Sequence, residues 1–355
     1  MKIVVNIGHP AHVHLFKNFV WQMERKGHEV LVVATKKDVA LELLDAYGLS
    51  YVCISSSGKS LVRKMVNLPI MDFRMYRAVR GFRPDIFIGV GSIRAAHVSR
   101  LMRKPCIVFD DTEVSSIQHM LYGPFTDAIL TPACFKKDMG RKQVRYNGYH
   151  ELAYLHPNYF QPDPSVLGDL GMREGDKFVV VRLVSYGATH DVGQHGFGDP
   201  REIVRALESY GRVIVTSERK LEPGLERCRW ALSPERLHSL LYYASLYIGE
   251  GGTVATEAAL LGTPAVRVSS RALHSDAMGN FEELETRYGL LYSFGNAQGA
   301  LRKAREILEQ KDAKELWRVK RQVLLNEKVD VTGLMIRLVE EYDEGFDPVR
   351  GRTPD

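Results

Sequence analysis

The sequence predicts an α/β protein made of two parallel-sheet domains of similar size that face a central cleft. Three observations carry this. Strand-like apolar runs alternate with helical patterns from the N-terminus onward, which argues for parallel sheets with helices on both faces. The alternation breaks at "HPNYFQPDPSVLGDLGM", where Pro157, Pro162 and Pro164 mark a linker. It then restarts, and 355 residues suit two ordinary domains better than one. The expected domains are 1–155 and 156–330, with a closing helix and tail, 331–355, packing back on the first.

The elements follow in order. "KIVVNI" is a strand and "HLFKNFVWQMERKG" a helix; "EVLVVAT", a helix near "DVALELLDAYG", and "SYVCIS" come next. "PDIFIGVG", "PCIVFDD" and "DAILTP" are short apolar runs bounded by Pro, Gly or Asp. After the linker come "KFVVVRLVS", the helix "DPREIVRALESYG", "RVIVTS", the helix "SPERLHSLLYYA" and "LYIGEGG". "TVATEAALL" is helical, Gly262 and Pro264 stop it, and "PAVRVS" is a strand. "AQGALRKAREILEQKD" and "VTGLMIRLVEEYDE" close the chain as helices, and 345–355 reads as a disordered tail.

No apolar run approaches the ~18 residues needed to span a bilayer, and "MKIVVNIGHPAHVHLF" reads as a first strand, so the expected location is the cytoplasm. Cys53, Cys106, Cys134 and Cys228 form no CxxC pair and are expected to be reduced. Residues 1–150 hold 22 Lys and Arg against 12 Asp and Glu, whereas the remainder is net acidic. Lys59 to Lys104 alone carries eleven basic residues against two acids. Such a half suggests an anionic partner: a membrane surface, a phosphorylated acceptor or a nucleic acid. A solvated helix face is the plain alternative. No aromatic-basic signature supports nucleic acid, so none is expected.

"YIGEGGTVATEAALLGTPAVRVSS" is the most informative stretch. It reads strand, loop, helix, strand, with Gly251 and Gly252 at the helix start. Uncovered backbone N–H groups and the helix dipole there suit a phosphate or diphosphate. It is neither GxxxxGK[ST] nor GxGxxG. If Thr253 is the N-cap, a capping box needs Glu or Gln at 256, where Thr256 stands; Glu257 comes one place later. It is then either a dipole-favoured acid or a carboxylate that accepts hydrogen bonds from a ribose diol.

This stretch resembles the donor-site motif of GT-B glycosyltransferases, above all the N-acetylglucosaminyltransferases that form peptidoglycan lipid II. Gly251 and Glu257 have that family's spacing. The resemblance implies Rossmann-like domains, Glu257 on the ribose, Gly251, Gly252 and Thr253 near the diphosphate, and Leu237 near the base. UDP-N-acetylglucosamine 2-epimerases carry a related motif with one residue fewer between Gly and Glu. Glu250 stands where the transferases have a small Ser; an anion beside a diphosphate needs a partner, such as Arg182 or Arg267. Through "YNGYHELAYLHPNYFQPD", "VSYGATHDVG" and "YASLYIGEGGTVATEAALLGTPA" the whole chain resembles an uncharacterised archaeal and bacterial glycosyltransferase-like family.

"GHPAHVHLF" clusters His9, His12 and His14 after the first strand. His12 aligns with a transferase His, which implies a general base. HxxHxH is also a metal-ligand pattern, with Asp110, Asp111 and Glu113 of "DDTE" as further ligands, and helix capping is the structural reading. The "VFDDTEVSS" loop is expected to face an acceptor. Ser185, Thr189 and His190 of "LVSYGATHDVGQHGFGD" are expected at the donor diphosphate, if this is not an ordinary surface loop. The candidate catalytic set is thus His12, Asp111 and Glu250, with Lys59, Arg63, Lys64, Ser92 and Glu113 on the acceptor or surface side. The resemblance implies a sugar transfer from a UDP-type nucleotide sugar, as substrate and without metal or other cofactor. The second domain would bind this donor, and the first a lipid-linked or polysaccharide acceptor, with peripheral contact to an anionic membrane. A nucleotide-sugar epimerase or hydrolase, and a non-catalytic nucleotide-sugar binding protein, are the other readings.

Overall fold

The computed structural model describes residues 1–56, 67–184, 196–230, 232–269 and 278–343. The chain divides into two compact units, one of Met1–Tyr159 with Lys328–Asp355 and one of Phe160–Glu327.

The first unit runs β1 (Lys2–Ile7), α1 (Pro10–Arg25), β2 (Glu29–Lys36), α2 (Ala40–Ala46), β3 (Tyr51–Ser56), α3 (Leu68–Val79), β4 (Ile86–Val90), α4 (Ile93–Met102), β5 (Cys106–Phe109), α5 (Ser116–Tyr122), β6 (Ala128–Pro132), β7 (Gln143–Tyr146) and α6 (Leu152–Leu155). Its seven strands pair in parallel in the order β3-β2-β1-β4-β5-β6-β7. Strands this apolar on both faces must be covered on both. Val4, Val33, Phe87, Val108 and Ile129 meet Met75, Val79, Ala95 and Tyr122 on one side. On α1, Val13, Phe16, Phe19, Val20 and Met23 are buried, and each such side chain removed from water is worth about 1.5–3 kcal/mol. Pro10 opens α1, where its missing N–H costs nothing.

The second unit runs α7 (Ser165–Asp169), β8 (Phe178–Leu183), α8 (Pro200–Leu207), β9 (Arg212–Ser217), α9 (Leu237–Tyr243), β10 (Leu246–Gly249), α10 (Gly252–Leu260), β11 (Ala265–Val268), α11 (Gly279–Thr286), β12 (Leu291–Phe294), α12 (Ala297–Glu309) and α13 (Ala313–Glu327). Its five parallel strands are ordered β12-β11-β10-β8-β9. The last helix, α14 (Val331–Asp343), returns to the first unit and packs on α1. Thr332 Oγ1 donates to the Ala153 carbonyl at 2.8 Å, and Lys26 pairs with Glu340 at 2.9 Å. The Pro-rich segment read as a linker holds the unit boundary and also the short helix α7, whose Val166 and Leu167 are buried. The tail from Gly345 lies outside the described residues.

Candidate functional site

In the first unit the strand order reverses between β1 and β4, and ligands of parallel α/β sheets bind outside the carboxyl strand ends at such a reversal. Several polar side chains follow those ends. His9 is the N-cap of α1, its Nδ1 accepting from Ala11 N at 3.2 Å. His12 Nδ1 accepts from Gly8 N at 3.3 Å. His14 is buried, and its Nδ1 stands 3.1 Å from the Tyr47 hydroxyl. The three histidines therefore serve three separate purposes. Among the described residues there is no group of three or more His, Cys, Asp or Glu placed to hold a metal.

After β5, Asp111 Oδ2 lies 3.2 Å from Nδ1 of His150, which is buried. Thr112 donates to Asp111 Oδ1 at 3.0 Å. Burial alone would raise the Asp111 carboxyl, but His150 and Thr112 outweigh it and hold it at about 2. Burial likewise opposes a charged His150, yet Asp111, then Glu151 and Asp110, raise its pKa. His12 moves the other way: burial, then His9 and Lys37, lower it well below the ordinary value. It is a neutral ring. Because Nδ1 accepts the Gly8 N–H, the proton sits on Nε2, as assigned from the hydrogen bond. His12 is thus arranged as a hydrogen-bond donor, which departs from the base role that the resemblance implies.

Asp110, next to Asp111, is buried and fixed on three sides. Tyr122 OH donates to Oδ2 at 2.7 Å, His119 Nε2 stands 3.3 Å from the same oxygen, and Thr112 N donates to Oδ1 at 2.8 Å. These contacts set the turn that presents Asp111. Ser92 is buried; its hydroxyl donates to Asn6 at 2.6 Å and accepts from Ala95 N, capping α4. Glu113 accepts from Lys136 N at 3.3 Å. Lys59, Arg63 and Lys64 lie outside the described residues.

In the second unit α10 begins at Gly252 with Gly251 as N-cap, and no side chain caps it. Thr253, exposed within the first turn, is not the N-cap, so the capping-box count that starts from it does not apply. The glycines also sit in tight packing. A Cβ on Gly252 would stand 2.7 Å from the Phe281 ring, and one on Gly251 3.1 Å from Val184. Glu257 is buried, with Oε1 3.1 Å from Nε2 of buried His238 on α9. Leu237, half-buried, is the first residue of that helix.

Glu250 has other partners than those expected. Arg182 pairs with Glu218 at 2.6 Å, and Arg267 lies 3.9 Å over the Phe281 ring. The buried Glu250 carboxylate instead accepts from Val184 N at 3.0 Å and Phe197 N at 2.9 Å, with Arg219 at 3.8 Å. Both oxygens are engaged by backbone on either side of 185–195, so this carboxylate clamps two chain segments, a positioning task in place of the expected catalytic one. Ser185, Thr189 and His190 lie within that span, outside the described residues.

Sequence reasoning missed His150, which sits in a quoted motif but is linked to Asp111 only through the β5–β7 arrangement. It also missed His238 and the His119–Asp110 contact. Each depends on packing between elements far apart in sequence.

Two Rossmann-like parallel sheets in one chain define the GT-B class. Solved structures agree: a UDP-GlcNAc 2-epimerase from Neisseria meningitidis, bound to UDP-GlcNAc, matches with a TM-score of 0.66 and 9% identity, covering 96% of this chain and all of that one. A glycosyltransferase from Streptomyces sp. SF2575 matches with a TM-score of 0.60 and 15% identity over 96% and 99% of the two chains. The chain belongs to the family described as "Protein of unknown function (DUF354)", whose model matches residues 1–278. An uncharacterized protein of Methanocaldococcus jannaschii is 23% identical over 280 residues, 75% of this chain and 81% of that protein. The UDP-N-acetylglucosamine--N-acetylmuramyl-(pentapeptide) pyrophosphoryl-undecaprenol N-acetylglucosamine transferase of Desulfotalea psychrophila is 29% identical over 129 residues. That match spans 32% of this chain and only 35% of the transferase.

Proposed function

We propose that this protein is a glycosyltransferase that moves a sugar from a UDP-type nucleotide sugar to a lipid-linked or polysaccharide acceptor, with no metal in the step. The observation that carries the reading is the start of α10. An uncapped helix N-terminus with two glycines, at the carboxyl edge of a parallel sheet, suits a diphosphate. The partial likeness to the lipid-linked N-acetylglucosamine transferase supports the donor class. In the first unit, His12 Nε2–H orients the acceptor hydroxyl and Asp111 receives its proton. The hydroxyl oxygen bonds to the anomeric carbon as the bond from that carbon to the diphosphate breaks and UDP leaves. Asp111 is a weak base, so the proton passes late, once bond formation has made the attacking oxygen acidic.

The acceptor unit is proposed to work at an anionic membrane from the cytoplasmic side. His97 on α4 ties three helices together, with Nδ1 2.8 Å from Asp72 of α3 and Nε2 3.0 Å from the Leu121 carbonyl of α5. Ile70, Phe73, Leu101, Ile117 and Met120 are exposed on these helices beside exposed Arg74, Arg77 and Arg100, a composition suited to a lipid interface. Among the described residues no helix is long and apolar enough to cross a membrane.

A thermal-shift series with UDP, UDP-GlcNAc and other nucleotide sugars, with and without EDTA, tests the donor. Acceptor-dependent release of UDP then tests transfer. The opposed pKa shifts of His12 and His150 around one carboxylate favour a second reading, an epimerase or hydrolase. Turnover without acceptor would select it, and binding without turnover would select a nucleotide-sugar sensor.

A further inference from the structure

Across the second sheet, one rank of residues is polar. The register aligns Ser293 of β12, Arg267 of β11, Gly249 of β10, Arg182 of β8 and Thr216 of β9. Paired residues of parallel strands point to the same face, so four polar side chains share one face, each one residue from the carboxyl end of its strand. Tyr247, two residues before Gly249, points to that face as well. Its hydroxyl leans over Gly249, where any Cβ would collide with it and with Arg182 Cβ. β10 lies between the strands of Arg182 and Arg267, and besides burial the Tyr247 hydroxyl feels Arg182, Glu257, Arg267 and Glu218 electrostatically.

Tyr247 is fully buried, and its hydroxyl makes no hydrogen bond among the described residues. Thr216 Oγ1, Arg182 Nε and Ser293 Oγ are buried in the same condition. Buried polar groups are otherwise almost always hydrogen-bonded. Three hydroxyls and one guanidinium N–H left in this condition near the carboxyl end of one sheet are unusual enough to need a purpose, although Arg182 also pairs with Glu218 through Nη2. The start of α10 is close by. Phe281 touches Gly252 with one end of its ring and carries the Arg267 guanidinium 3.9 Å over its face. The arginine fork, the hydroxyls and the helix dipole all favour the same ligand chemistry, a tetrahedral anion rich in acceptor oxygens.

We propose that Arg182, Tyr247 and Arg267 form an anion platform that binds the diphosphate of the donor, with the start of α10 completing it. This rests on the reading of the second unit as the nucleotide-sugar domain and adds the residues that hold the phosphates. Phosphate recognition then lies in strand side chains as well as in the glycine turn, and Gly249 is required because the Tyr247 hydroxyl occupies the space above it.

Titration calorimetry of the full chain with pyrophosphate and with UDP, at low and moderate salt, is the test. Tyr247→Phe keeps the buried ring and removes only the hydroxyl; it should weaken both ligands about 5–15-fold. Arg182→Gln and Arg267→Gln should weaken both about 10–150-fold. Urea unfolding confirms that each variant is folded, and Tyr247→Phe keeps the test decisive if an arginine variant is not. UDP binding that is undiminished in Tyr247→Phe and in the folded arginine variants overturns the platform and leaves the nucleotide reading standing. Pyrophosphate binding that depends on these residues, with no binding of UDP, keeps the platform and removes the nucleotide reading. Wild-type protein that binds neither ligand overturns both.

Discussion

Replacing Asp111 with Asn tests the electrostatics of the first unit directly. The carboxyl is held at about 2, against 3.8 for an ordinary aspartate. At about 1.4 kcal/mol per unit, this amounts to roughly 2 kcal/mol of stability, from a side chain that is 25% exposed. The sign follows from the direction. A depressed carboxyl stabilises above its unfolded pKa of about 3.9, and the contribution is lost as pH falls through about 2. His150 is raised, so its share is fully present below about 6.5 and is lost as pH rises through its folded pKa. The stability difference between wild type and Asp111→Asn should therefore be greatest between about pH 4 and pH 6.5. It should shrink by about half at pH 3 and also decline in mild alkali. Urea unfolding at a series of pH values, followed by a probe in the first unit, measures this. Near neutral pH the loss is a fall in the melting temperature of that unit of about 4–8 °C. A difference that is flat from pH 3 to pH 9 would refute the proposed ion pair.

Glu250→Gln should lower the stability of the second unit by about 1.5–3 kcal/mol, because charged hydrogen bonds to two backbone N–H groups are lost or weakened; an unchanged melting temperature rules out the clamp. His12→Ala should reduce turnover about 10²–10³-fold, the usual cost of a lost donor at a reacting oxygen, with nucleotide affinity unchanged. Recovery of that activity by a divalent metal would favour the metal reading instead. Liposomes rich in anionic lipid should sediment the protein at low salt and release it at high salt, and a triple Ser variant at Ile70, Phe73 and Met120 should fail to bind. Binding indifferent to both lipid charge and this variant counts against the membrane face.

The sheets were legible in the sequence because their strands are continuous apolar runs between Gly, Pro and Asp, and such runs have one stable use in an alternating α/β chain. β7 and β12 were not, because "QVRY" and "LYSF" are short and half polar. Nor was α13, whose "AKELWRVKRQVLLNE" buries little more than Trp317 and Leu324. Its helical pattern is there, but a mostly exposed helix gives a weak period.

The site was legible only where chemistry is local. The glycines before α10 are adjacent, and their spacing to Glu257 can be counted. The relations that define the geometry are long-range: His150 meets Asp111 across 39 positions, Glu250 holds Val184 and Phe197 across 66 and 53, and Tyr247 lies between arginines from two neighbouring strands. No spacing rule reaches that far. Glu250 shows why this matters. Beside a helix start that suits an anion, its charge looked like an obstacle to a diphosphate. Once both oxygens accept backbone N–H groups, much of that charge is compensated locally. Arg182 and Arg267 are then not needed to neutralise it: Arg182 pairs with Glu218, and Arg267 lies over the Phe281 ring. The carboxylate that looked like an argument against a phosphate site is no argument against the proposed platform, because its close partners are backbone N–H groups and not those two arginines.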